Sequence, residues 1–114
     1  MKPWVPLHEI KEPKVWRGAV FRFLAKYPFE CLVDFMLMID RGLDAEFRLI
    51  CSSGYHAGEI ELVLPEETEH KDGGISVQWV QENWQKWIYP DCTPEEVKYT
   101  ENHTAYDAEE PASK

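Results

Sequence analysis

Apolar and polar residues alternate with a period of two in three stretches of the chain, at residues 17–24, 46–52 and 59–64. Because successive side chains of a β-strand point to opposite faces of a sheet, each stretch predicts a strand with one buried face. The residues predicted to face the core are Ala19, Phe21, Phe23, Phe47, Leu49, Cys51, Ile60, Leu62 and Leu64. The same alternation leaves Glu59 and Glu61 together on the solvent side of the third strand.

The most apolar segment, residues 30–40 (ECLVDFMLMID), fits two structures. Its leucine and methionine content suits a helix, but a continuous apolar run bounded by polar residues is typical of a buried strand. We favour a strand over about residues 33–39. The link at residues 53–58 is short and contains two glycines, which suit a tight turn. Short links predict an antiparallel meander, because parallel neighbours need long crossover connections.

The period changes after Ser76, where apolar residues recur at spacings of three and four: Val77, Val80, Trp84, Trp87 and Ile88. This spacing predicts an amphipathic helix over about residues 76–88, with Ser76 as its N-cap and Pro90 as its stop. Trp79 lies outside this apolar stripe. It is either a residue at the edge of the core or an exposed aromatic anchor for a partner.

These elements predict an α+β fold, a small antiparallel β-sheet (a meander) with one face covered by a Trp-rich C-terminal helix. Residues 1–16 contain three prolines and are expected to form an extended N-terminal arm. Residues 17–101 form the single α+β domain, with a short edge strand at residues 96–100. Residues 102–114 are small, polar and acidic, which predicts a disordered tail.

Negative charge is concentrated in the second half of the chain. Residues 1–50 carry eight Lys and Arg against seven Asp and Glu, a net +1, whereas residues 51–114 carry four against fourteen, a net −10. Such a field attracts a basic partner and argues against direct binding of nucleic acid or an anionic membrane surface. The alternative is an acidic surface that only keeps the protein soluble. Prolines near the N-terminus leave no room for a secretory signal, so we expect a cytoplasmic protein.

The chain shows none of the common catalytic motifs for hydrolysis, phosphate binding or metalloprotease chemistry. An enzyme would have to use Cys51 or Cys92 as nucleophile with His56 as base. Cys51 is predicted to be buried and Cys92 has acidic neighbours, and both conditions disfavour a thiolate. Three cysteines without metal-ligand spacing are read as reduced, largely buried thiols, so we predict no metal and no cofactor.

The sequence therefore favours a functional surface for a protein partner. We predict that it combines the acidic residues between 59 and 72 with aromatic residues that could anchor the partner. The predicted members are Glu59, Glu61, Glu66, Glu67, Glu69, Asp72, Tyr55, His56 and Trp79. Tyr55 and His56 would lie at the tip of the hairpin formed by the last two strands.

Several stretches, in order along the chain, resemble one family of bacterial proteins. They are residues 17–23 (RGAVFRF), 27–30 (YPFE), 32–37 (LVDFML), 53–58 (SGYHAG), 62–67 (LVLPEE), 74–77 (GISV) and 83–90 (NWQKWIYP). Together they resemble the immunity protein 45 family of polymorphic-toxin (contact-dependent growth inhibition) systems, over roughly residues 15–100. The Trp-rich run and the S-G-Y-x-A-G turn are the most specific parts.

The resemblance implies a cytoplasmic, non-enzymatic antitoxin that binds a cognate toxin, the C-terminal domain of a secreted effector, and blocks it. It implies no particular functional residues. Two other classes remain open: an adaptor or chaperone for a secreted effector (or a subunit of a larger assembly), and a small enzyme or ligand-binding domain. An immunity protein would restore growth to cells that make the toxin, whereas an adaptor would alter export and leave the toxicity intact.

Overall fold

Four consecutive strands form the predicted antiparallel meander in the computed structural model, which describes residues 4–27, 29–41 and 46–102. The strands, in chain order, are β1 (Val5–Pro6), β2 (Lys14–Val15), β3 (Val20–Leu24), β4 (Leu32–Asp40), β5 (Glu46–Cys51), β6 (Ile60–Val63), β7 (Ile75–Ser76) and β8 (Lys98–Thr100). The main sheet has the order β1-β8-β3-β4-β5-β6, and β2 pairs with β7 in a separate small sheet.

The segment that fitted either a helix or a strand is strand β4. Its apolar residues divide between two faces: Val33, Phe35 and Leu37 lie in the core, whereas Met36 and Met38 are half-buried on the other face. On that second face Arg22 and Asp34 lie opposite each other and form a bidentate ion pair, at 2.7 and 2.9 Å. A strand that is shielded on both faces needs no polar alternation, which explains the continuous apolar run.

A helix covers the core face of the sheet, as predicted. Helix α1 spans Val77–Asn83, and the Oγ of Ser76 accepts a hydrogen bond from the backbone N–H of Trp79 at 3.2 Å. Trp84 is fully buried, and its ring packs on Phe21 and Phe23 with centroid distances of 5.7 and 5.4 Å. The residue that directly follows α1 therefore contributes the largest fully buried side chain of the core.

The second half of the predicted helix differs from expectation. Residues Trp84–Ile88 form a π-helical turn, closed by the backbone N–H of Tyr89, which donates to the carbonyl of Trp84 at 2.8 Å. The prediction that Trp87 belongs to the buried stripe is wrong, because its side chain is 55% exposed. A π turn places residues at different angles from an α-helix, so the three-and-four spacing no longer identifies the buried face.

The N-terminal segment packs on the body of its own chain. Strand β1 pairs with β8, β2 pairs with β7, and Leu7 between them is fully buried. As a result β8 lies between β1 and β3, so the prediction of an edge strand at residues 96–100 is wrong. Of the predicted disordered tail at 102–114, all but Asn102 lies outside the described residues.

Candidate partner-binding surface

The hairpin turn between β5 and β6 carries Tyr55 and His56, two of the predicted site residues. A short 3-10 helix spans Gly54–His56. The turn rejoins the sheet through a bulge at Gly58, whose N–H donates to the carbonyl of Cys51 at 2.7 Å. Gly58 has a φ of +95°, which a residue with a side chain rarely adopts. Tyr55 is 92% exposed, so this geometry presents its ring to solvent.

The turn is fixed from the side by Glu30, which lies in the connection between β3 and β4. Oε2 of Glu30 accepts a hydrogen bond from the backbone N–H of Tyr55 at 2.6 Å. That bond is the main reason why the pKa of Glu30 is lowered from its ordinary value. Next to it the rings of Phe29 and His56 meet edge to face, with centroids 5.1 Å apart. Glu30 and Phe29 therefore position a turn that lies 25 residues further along the chain.

His56 and two predicted acidic residues lie close together beside this turn. The Nδ1 of His56 is 3.0 Å from Oε1 of Glu59. Burial raises the pKa of Glu61, and the charge of Glu59 raises it further, whereas His56 lowers it. The expectation that both carboxylates lie freely on the solvent side is therefore wrong for Glu61, which is half-buried.

A second β-bulge changes the faces of strand β6. Leu49 lies opposite Leu62, but the next residue, Ile50, lies opposite Ile60, so Glu61 is an extra residue on β6. The prediction that Ile60 faces the core is wrong, because the bulge places it beside Ile50 on the outer face, where it is 52% exposed. Simple alternation cannot be extended through such an irregularity.

The remaining acidic residues lie at the other end of β6. Glu66 and Glu67 are exposed in a 3-10 turn, Glu69 pairs with Ile75, and Asp72 accepts a hydrogen bond at its backbone carbonyl from Lys14. Glu66 follows Glu59 by seven positions of mostly extended chain, a span of about 20 Å. The six predicted carboxylates therefore form two groups: the acidic hairpin (Glu59, Glu61) and the acidic loop (Glu66, Glu67, Glu69, Asp72).

Trp79 occupies the first turn of α1 and is half-buried against the core. This is the position that the edge-of-core interpretation predicts. It lies three residues after Ser76, which pairs with Lys14 close to the acidic loop. The structure does not bring Trp79 together with Tyr55 in one turn, and its role as an anchor stays a prediction.

The cysteines have two different environments. Cys51 and Cys92 are buried, and their thiols donate to the backbone carbonyls of Ser53 and Leu24 at 3.2 and 3.0 Å. Burial is the main reason why the pKa values of both thiols are raised, which disfavours a nucleophilic thiolate. Cys31 is exposed, so the expectation of three largely buried thiols is wrong for this residue.

Within the described ranges, no cluster of three or more His, Cys, Asp or Glu residues could hold a metal ion. No helix in the same part of the chain has the length and apolar character needed to cross a membrane.

The residues that surround this turn in space are not among those that the sequence predicts for the site. Glu30 gave no signal, because its contact with Tyr55 depends on how two hairpins pack. Leu24, Tyr27 and Leu32 are exposed at the same end of the sheet. Leu24 could have been identified, because the alternation in residues 17–24 already places it on the face opposite Phe23.

Comparison with known proteins identifies one family. The family model described as immunity protein 45 matches residues 9–99, which confirms the resemblance seen in the sequence. No curated protein and no solved structure matches this chain. Membership implies an antitoxin role and, in general terms, a cognate toxin as partner. Since the matched residues make up most of the 114-residue chain, this protein belongs to the immunity protein 45 family.

Proposed function

We propose that this protein is a cytoplasmic, non-enzymatic antitoxin that binds the C-terminal toxin domain of a secreted effector and neutralises it in a stoichiometric complex. The observation that carries the proposal is the family match over residues 9–99. These residues include the hairpin turn that Glu30 holds in place and both acidic groups. The cognate system would be of the polymorphic-toxin or contact-dependent inhibition type.

Charge supports a basic partner. Ten excess negative charges lie in residues 51–114, and the acidic hairpin and acidic loop present six of the carboxylates from this half of the chain. A toxin that acts on nucleic acid needs a cationic groove to hold phosphates. An acidic inhibitor can compete for such a groove and can accelerate its own association. We therefore propose a protein partner with a basic surface, and neither nucleic acid nor a membrane as a direct partner.

The proposed contact residues are those of the turn and the two acidic groups, with Tyr55 as the exposed aromatic residue. Aromatic side chains at the centre of an interface contribute most of the binding energy, whereas charges at the rim mainly set the association rate. Inhibition would follow either from occlusion of the toxin's active site or from docking beside it.

The direct test is co-expression with the toxin domain encoded by the neighbouring gene. We expect the full chain to restore growth, and the purified proteins to form a complex that abolishes toxin activity once the two are equimolar. An adaptor would bind without restoring growth. Toxin activity that persists in the presence of excess folded protein would contradict the proposal.

A further inference from the structure

Two turns of the meander meet at one end of the sheet. Since neighbouring strands run in opposite directions, the β3–β4 connection (described residues 25–27 and 29–31) and the β5–β6 connection (residues 52–59) emerge at the same end. They are joined directly by the hydrogen bond from the Tyr55 N–H to Glu30 and by the contact of Phe29 with His56. We call this region the paired-turn end, and it includes Leu24 and Leu32, which flank the first connection.

The paired-turn end exposes four large hydrophobic side chains. Leu24 is 69% exposed and Leu32 is 50% exposed, and the two lie directly opposite each other on β3 and β4. Tyr27 and Tyr55, one from each connection, are 95% and 92% exposed. Of the eight large hydrophobic residues that are exposed in the described ranges, these four share one end of the sheet. Single exposed hydrophobic residues are ordinary, but a group of them marks a contact surface.

The backbone under these side chains is held in place. Ala25 N–H donates to the Cys31 carbonyl at 2.8 Å, and Phe29 N–H donates to the Lys26 carbonyl at 2.9 Å. The N–H of Lys26 donates to the hydroxyl of Tyr89 at 3.0 Å, which ties the first connection to the segment after the helix. A surface that is ordered before binding loses less conformational entropy on association, and tyrosine adds contact area with few rotatable bonds.

Charge at the paired-turn end indicates the kind of partner. Glu59 lies beside His56 in the same connection as Tyr55, and Glu61 follows on strand β6, close enough for the charge of His56 to lower its pKa. The surface is therefore an apolar centre with a negative flank, and its complement is an apolar patch bordered by Lys or Arg.

We infer that the paired-turn end is the centre of the surface that receives the toxin domain, with Tyr27 and Tyr55 as its aromatic anchors. The inference rests on the proposed function and adds Leu24, Tyr27 and Leu32 to the interface. It also ranks the two acidic groups, because the acidic hairpin flanks this centre, whereas the acidic loop lies beyond the far end of β6.

The test uses the full chain and the purified toxin domain encoded by the neighbouring gene. The double variant Tyr27→Ser/Tyr55→Ser removes both anchors from exposed positions, and Val63→Ser removes a half-exposed apolar side chain from the far end of β6 as a matched control. We expect the Kd of the double variant to rise by about thirtyfold or more, and that of the control to change by less than about threefold. Circular dichroism of each variant verifies that it is folded.

Cys31 supplies a second readout that needs no substitution. It is the exposed thiol, and it lies in the β3–β4 connection, whereas Cys51 and Cys92 are buried. We expect the toxin domain to slow alkylation of Cys31 by iodoacetamide at least about tenfold, because a closely packed interface excludes the reagent.

The outcomes separate the two proposals. If the wild-type chain does not bind the toxin domain, the proposed function fails and this inference fails with it. If the wild type binds, but the tyrosine variant retains its affinity and Cys31 reacts at its free rate, the function stands and the paired-turn end is not the interface. If the chain alone forms a dimer that Tyr27→Ser/Tyr55→Ser dissociates, this end receives a second copy, and the inference is overturned.

Discussion

Tyr55 and Glu30 are joined by a hydrogen bond of 2.6 Å from the backbone N–H of Tyr55 to Oε2 of Glu30. The other oxygen, Oε1, is shielded from solvent and has no hydrogen-bond partner among the described residues. The hydrogen bond from Tyr55 lowers the pKa of Glu30 by more than this shielding raises it, so the pKa is below its ordinary value. One carboxylate thus fixes the turn that displays Tyr55, one of the two exposed tyrosines of the candidate surface.

The first prediction concerns the pH dependence of stability. Because the pKa of Glu30 is lower in the folded protein than its ordinary value, ionised Glu30 stabilises the fold at neutral pH. This stabilisation is lost as the pH falls through the folded pKa. Between pH 7 and about pH 3, we therefore expect the wild type to lose more free energy of unfolding than Glu30→Gln does. Urea unfolding at a series of pH values measures the difference.

Glu66→Gln is the control for this experiment, since Glu66 is exposed in a turn at the other end of β6. Its pH dependence should follow that of the wild type. Parallel curves for wild type and Glu30→Gln would show that the hydrogen bond to Tyr55 has no energetic role.

The second prediction separates two costs of placing a side chain in the hairpin turn. Gly54 has a φ of +67°, and a Cβ added there would lie 2.5 Å from Oε1 of Glu30. Gly58 has a φ of +95°, but a Cβ added there would meet no atom within 4 Å. Gly58→Ala should therefore show the cost of backbone conformation alone, about 1–2 kcal/mol, and Gly54→Ala should cost more.

A double-mutant cycle tests whether Glu30 causes the difference. Adding Glu30→Ala to Gly54→Ala removes the colliding carboxylate, so the two changes together should destabilise less than the sum of their separate effects. Adding Glu30→Ala to Gly58→Ala should give a simple sum. Equal coupling in both cycles would contradict the close approach of Glu30 to Gly54.

The third prediction concerns the core tryptophan. Trp84 is fully buried against Phe21 and Phe23, so Trp84→Ala should destabilise the fold by about 3–5 kcal/mol through lost contacts and a cavity. Trp87→Ala is the matched control three residues away, and because Trp87 is largely exposed its cost should stay near 0.5 kcal/mol. Guanidinium unfolding provides both values, and similar midpoints for the two variants would contradict the assignment of the buried face.

Trp84 also shows what could be predicted from sequence and what could not. Its burial follows from the three-and-four spacing that starts at Ser76, and the N-cap at Ser76 is correct. The π turn that begins at Trp84 leaves no comparable mark in the sequence, so the spacing wrongly predicts that Trp87 is buried. Local patterns identify an element and its start more reliably than a change of helical geometry inside it.

In the candidate surface, the alternation of apolar and polar residues also predicts a regular strand correctly but not an irregular one. Alternation placed Phe47, Leu49 and Cys51 correctly in the core, because β5 is regular. It failed for Ile60, because the bulge inserts an extra residue into β6. The bond between Glu30 and Tyr55 could not be predicted either, because it joins two hairpins and depends on how the meander brings their turns together.

The fourth prediction tests charge at the two acidic groups separately. Glu59→Lys/Glu61→Lys reverses the acidic hairpin, and Glu66→Lys/Glu67→Lys makes the same change in charge at the acidic loop. If the toxin domain docks at the paired-turn end, the hairpin variant should slow association more than the loop variant, because charges close to the contact steer the encounter most strongly. Stopped-flow mixing with the toxin domain measures both rates, and circular dichroism verifies that each variant is folded.

Salt gives the internal control for this comparison. The wild-type association rate should fall as ionic strength rises, because screening shortens the reach of the carboxylates to about 8 Å at physiological salt. The hairpin variant should lose most of that salt dependence, and the loop variant should keep most of it. If both variants associate like the wild type at low and at high salt, the acidic residues only solubilise the protein. The case for a basic partner would then be withdrawn, and family membership alone would support the antitoxin role.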